Sequence, residues 1–94
     1  MRIKLSEQMV HFVRSLAPEP RRKMRLAFKA LAKGRGDIKV LEGAPTNYSR
    51  LRVASYRVIL FYRDANEIEC IFAERRSIIN EIFEEALRQR LGSE

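Results

Sequence analysis

Residues 50–63 read RLRVASYRVILFYR, and this stretch contains the last residues of one strand and the whole of the next. Val58 to Tyr62 is an unbroken run of β-branched, aliphatic and aromatic side chains, the pattern of a central strand. Tyr48 to Val53 alternates in polarity and reads as its neighbour. Only Ala54 and Ser55 separate the two, so they must pair antiparallel. Strand alternation puts Tyr56, Val58, Leu60 and Tyr62 on one face and Arg57, Ile59 and Phe61 on the other. Arg57 is then a cation on a largely apolar face, a position that needs a carboxylate partner or a functional anion. With Arg50 and Arg52 beside it, the segment predicts a guanidinium-lined surface that awaits an anion, because arginine is almost never buried without a partner.

The rest of the chain supplies the elements this hairpin needs. Ile68 to Ala73 alternates again and follows the turn Asp64-Ala65-Asn66, giving a third meander strand. Upstream, residues 2–5 (RIKL) read as a short strand, and Ser6 is placed to cap a helix with apolar positions Met9, Phe12, Val13 and Leu16. That helix ends near Pro18. A second helix starts within Pro18 to Pro20 and runs to Lys33, with Gly34 as its stop. Its apolar face is Met24, Ala27, Phe28 and Leu31, and its other faces carry Arg21, Arg22, Lys23, Arg25, Lys29 and Lys33. Such a basic amphipathic helix could lie on a membrane, but its apolar stripe is the size a small core requires, which favours packing on a sheet. Residues 34–47 (GRGDIKVLEGAPTN) form a long loop with a short extended piece at 38–41. A final helix over about 77–91 places Ile79, Ile82, Phe83, Ala86 and Arg90 on one face. The expected fold is α+β in the order β-α-α-β-β-β-α. It has a twisted antiparallel sheet of about four strands, two N-terminal helices on one face and a C-terminal helix.

Ninety-four residues make one domain, 1–94, with one modest core and no room for an enclosed cofactor cavity. A site on an open face is the realistic expectation. No apolar stretch approaches the ~20 residues that span a bilayer, and the N-terminus does not read as a signal peptide, so a cytoplasmic protein without membrane attachment is expected. Cys70, the single cysteine, excludes an internal disulfide and a cysteine-based zinc site, and no metal or other cofactor is expected. The net charge of +7 is unevenly spread. Residues 1–63 hold 15 Lys or Arg against 4 Asp or Glu, and residues 64–94 hold 4 against 8, giving +11 and −4. A basic body with an acidic C-terminal third fits a polyanion-binding face.

The element order, with LEG at 41–43, RLRVASYRVILFY at 50–62 and ERR at 74–76, resembles the RelE/ParE superfamily of bacterial and archaeal toxins. The resemblance implies the toxin of a toxin–antitoxin pair. RelE-like members cleave messenger RNA at the ribosomal decoding site, and ParE-like members poison DNA gyrase. By that resemblance the catalytic candidates are Arg50, Arg57, Arg75 and Arg76, with Arg52, Tyr48, Lys29 and Phe83 as RNA or phosphate contacts. The implied activity is a metal-independent mRNA endoribonuclease that inhibits translation. The implied partners are a cognate antitoxin, forming a hetero-oligomer, and the ribosome with its messenger. A ParE-like gyrase poison and an inactive antitoxin- or DNA-binding relative are the alternatives. Two positions depart from RelE: Arg50 stands where RelE carries a lysine, and Phe83 is the nearest aromatic to its C-terminal tyrosine.

Cleavage of RNA through its own 2′-hydroxyl needs a proton acceptor, a proton donor to the leaving 5′-oxygen, and cations that stabilise the charged phosphorane. Arginine supplies only the cations, since a pKa above ~12 makes it a poor base. Glu42 is a candidate base or, equally, a loop salt-bridge partner. Tyr48 shares a strand face with Arg50 and could stack on a base, exchange a proton, or simply sit half-buried on the sheet. His11 lies off the apolar stripe of its helix and reads as a surface residue.

Overall fold

A computed structural model describes residues 1–43 and 47–75 of the chain. The elements are β1 (Arg2–Leu5), α1 (Glu7–Ser15), α2 (Pro18–Ala32), β2 (Asp37–Val40), β3 (Tyr48–Val53), β4 (Tyr56–Asp64) and β5 (Glu67–Arg75). The C-terminal helix expected over 77–91 lies outside the described residues.

Local chemistry sets the helix boundaries. The Ser6 hydroxyl accepts from the Met9 amide at 3.0 Å and caps α1, as its place in the sequence requires. The same hydroxyl donates to the Ile71 carbonyl, so the cap also ties α1 to β5. Pro18 and Pro20 occupy the first turn of α2, where a missing N–H leaves no intrahelical bond unmade. Gly34 follows the C-cap residue Lys33 at a φ of 75°, and its amide closes the helix on the Leu31 carbonyl at 2.9 Å.

The strands form one five-stranded sheet in the order β1-β5-β4-β3-β2. Two features depart from the sequence reading. The extended piece of the long loop is a full edge strand: Asp37 to Val40 pairs antiparallel with Arg52 to Ser49. The sheet is also mixed, because β1 runs parallel to β5, with Arg2 opposite Glu67 and Leu5 opposite Cys70. Both helices and three strands lie between β1 and β5 in the chain, so no short link constrains their direction. A register shift between Ile59 and Leu60 leaves Ile71 as an extra residue in β5. That bulged residue supplies the carbonyl that Ser6 reaches.

One sheet face carries the core. Leu51, Val53, Val58, Leu60, Ile68, Cys70 and Ala73 pack with Met9, Val13 and Leu16 of α1 and its end, and with Met24 and Leu31 of α2. Tyr56 and Tyr62 border this cluster on the same face, as the strand alternation predicts, and Tyr56 meets Phe12 edge-on at 5.5 Å. Among the described residues both helices pack on this face, and the opposite face of β2, β3 and β4 carries a different set of side chains.

Candidate functional site

The register of β2, β3 and β4 assembles the site. Asp37, Arg52 and Arg57 form one row across the three strands, and Lys39, Arg50 and Ile59 form the next. Paired residues point the same way, so these side chains share the face opposite the helices. Lys39, Val40, Leu41, Glu42, Arg50, Arg52 and Arg57 line an open cleft of about 440 Å³ there. Four cations and one carboxylate therefore border a single depression. The reason is positional: arginines two residues apart on β3 face the same side, and antiparallel pairing brings Arg57 and Lys39 level with them.

The arginines differ in how they are held. Arg50 has a nearly buried side chain, 11% exposed, and its Nη1 donates to the Asp37 carbonyl at 3.1 Å and to Asp37 Oδ1 at 3.2 Å. Arg52 is more open. Its Nε is buried and lies 3.9 Å from Asp37 Oδ2, within ion-pair range but too far for a hydrogen bond. One carboxylate thus bridges two guanidinium groups. Arg57 reaches the cleft from β4 and completes the cationic wall. Planar forks on a solvent-open surface suit bidentate contact with phosphate.

The structure brings together Arg50, Arg52 and Arg57, as expected. Tyr48 lies on the same face, one alternation beyond Arg50, with its ring 5.1 Å from Phe61. Arg75 does not join them. Its cross-strand partner is Tyr56, a helix-face residue, so Arg75 projects to the other side of the sheet. Lys29 is likewise exposed on α2, with the sheet between it and the cleft. Arg76 and Phe83 lie outside the described residues.

Sequence reasoning missed Asp37 and Lys39, which sit on the edge strand. Their signal was the alternation in DIKV, hidden inside a segment whose glycines mark a loop. Two other cations prove structural. Arg21 Nη2 donates to the Leu16 carbonyl at 2.8 Å and the Arg14 carbonyl at 3.1 Å, tying off the end of α1. Arg63 pairs with Glu69 at 3.0 Å and Glu67 at 3.8 Å and lies 5.9 Å from the Phe61 ring centre. Cys70 is buried, and burial pushes its thiol up to about 12, which leaves it inert.

No protein-family model matches the sequence, and no curated protein matches it. Solved structures do. The chain is similar to the protein in the RelB–RelE antitoxin–toxin complex of Methanococcus jannaschii, with a TM-score of 0.68 and 20% identity over 85% of this chain and 98% of that one. Its similarity to the archaeal RelE–RelB complex of Pyrococcus horikoshii has a TM-score of 0.62 and 25% identity, covering 80% and 93% of the two chains. The isolated E. coli RelE toxin matches with a TM-score of 0.64 and 13% identity over 89% of this chain and 96% of the other. The fold is that of the RelE toxins, in agreement with the RelE-like resemblance of the sequence.

Proposed function

We propose that this RelE-fold chain is the toxin of a toxin–antitoxin pair and acts in the cytoplasm as a ribosome-dependent mRNA endonuclease. The observation that carries the reading is the cleft in which Arg50, Arg52, Arg57 and Lys39 converge on one open sheet face. A messenger passing over that face meets four cations spaced by strand geometry, and the guanidinium forks hold the phosphate that reacts. As the 2′-oxygen attacks, negative charge accumulates on the phosphorane oxygens. Fixed cations aimed at that position stabilise it more than the ground state, which is where the rate gain arises. The chemistry asks nothing of a metal, because the cations supply the charge stabilisation directly.

The same face explains the partner. RelE-fold neighbours are found in complexes with RelB antitoxins, and an antitoxin for this chain would offer carboxylates to the cleft in the manner of Asp37. Occupation of the cleft by such a segment excludes RNA.

Induction of the gene in a bacterial host tests the proposal. Incorporation of labelled amino acid should stop within minutes, and Arg57→Ala should restore it. Continued incorporation accompanied by DNA breaks and filamentation would replace this reading with a gyrase poison.

A further inference from the structure

We propose that Glu42 is the general base of the RNA cleavage reaction, an inference that rests on the nuclease reading above. The arginines of the cleft cannot accept a proton, so a separate acceptor is required. Glu42 is the carboxylate that lines the cleft with Lys39, Arg50, Arg52 and Arg57. The other acidic residue nearby, Asp37, is committed to Arg50 and Arg52. Glu42 is exposed, and among the described residues its carboxylate has no ion-pair or hydrogen-bond partner. A loop salt bridge therefore does not account for it. The residue sits just past the edge strand, where Leu41 is held by its amide bond to the Tyr48 carbonyl at 3.3 Å, so its backbone is anchored to β3 beside Arg50. A carboxylate on the rim of a cationic cleft faces whatever the cations bind.

The step balances without a further reagent. The 2′-O–H bond breaks and its proton passes to the Glu42 carboxylate, while the 2′-oxygen forms a bond to phosphorus. The P–O5′ bond breaks, and the leaving 5′-oxygen takes a proton from water in the open cleft. The products are a 2′,3′-cyclic phosphate and a 5′-hydroxyl, and Glu42 releases its proton to solvent. The arginines carry the phosphorane charge throughout.

The test uses the full chain with ribosomes programmed with a defined messenger. Glu42→Gln should lower the single-turnover cleavage rate by about 10²–10⁴-fold, the range of general base catalysis. It should leave binding of a messenger with 2′-deoxyribose at the scissile position unchanged. It should also remove the rise of rate with pH on the acid side of the profile, and Glu42→Asp should recover part of the rate. Because Glu42 is exposed, both variants should keep the wild-type circular dichroism spectrum. Wild-type cleavage with a Glu42→Gln rate within threefold of it would overturn the inference and leave the nuclease reading standing. Absence of cleavage by the wild-type protein would overturn both.

Discussion

Replacing Asp37 with Asn probes the electrostatics of the cleft directly. In the free protein the Asp37 carboxylate neutralises Arg50 at 3.2 Å and draws on Arg52 at 3.9 Å. Counting Arg50 as the cation that Asp37 neutralises most closely, the cleft presents Arg52, Arg57 and Lys39 as phosphate contacts for a single strand. Each phosphate contact to single-stranded nucleic acid contributes about −0.7 to the slope of log K against log salt. Three contacts give a slope of about −2, so affinity should fall roughly 20-fold between 50 and 200 mM salt. Asp37→Asn keeps the side-chain shape and frees Arg50 as a fourth contact. The slope should steepen to about −2.8 and the loss over the same range to roughly 50-fold. Binding should tighten about eightfold at 50 mM salt and about threefold at 200 mM. The substitution also removes an ion pair with one half-exposed partner, which lowers stability by up to about 1 kcal/mol. Fluorescence anisotropy of a labelled 2′-O-methyl RNA strand, titrated at several salt concentrations, reads both quantities. An unchanged slope, or weaker binding by the variant at every salt concentration, would refute the view that Asp37 neutralises a cation that otherwise contacts phosphate.

Two further outcomes follow from the fold. Ala54 holds a φ of 54° in the β3–β4 turn, a conformation that disfavours an L side chain by about 1–2 kcal/mol. Ala54→Gly relieves this, offset by roughly 0.4–1 kcal/mol of added unfolded-state entropy, so thermal denaturation should show a gain of about 0.5 kcal/mol; a lower melting temperature would contradict it. Cys70 has its thiol raised from 9.0 to about 12 by burial, with the Glu69 charge adding to the effect. The folded state therefore binds the proton more tightly than the unfolded chain, and the contribution is intact below pH 9 and declines as pH rises from about 9 toward 12. Denaturant titrations at pH 8 and pH 10.5 should show wild type losing more stability than Cys70→Ala, and an equal loss in the two would count against this.

The hairpin of 50–63 made much of this fold legible. Period-two alternation placed Val58 and Leu60 inside and Arg57 outside, and short links left only antiparallel pairing for the meander. The parallel docking of β1 on β5 was not legible, since four residues pairing across more than sixty leave no local pattern. Arg75 shows a different limit. Sequence places it near a strand end, but which face it takes depends on register, and the bulge at Ile71 sets that register. Asp37 and Lys39 escaped notice because an edge strand of four residues beside Gly34 and Gly36 looks like loop until its partner is known. Candidate cations were readable as residue types. Their division into groups that brace the fold, Arg21 and Arg63, and groups that line the cleft, Arg52 and Arg57, needed the carbonyls, carboxylates and strand register that only the folded chain supplies.

Mapping the 5′ ends of cellular messages by primer extension after brief induction tests the central claim most directly. New, discrete 5′ ends within translated regions, absent when the start codon of the reporter is removed and absent with Arg57→Ala, are the expected result. Intact messages during growth arrest by the wild-type chain would contradict it.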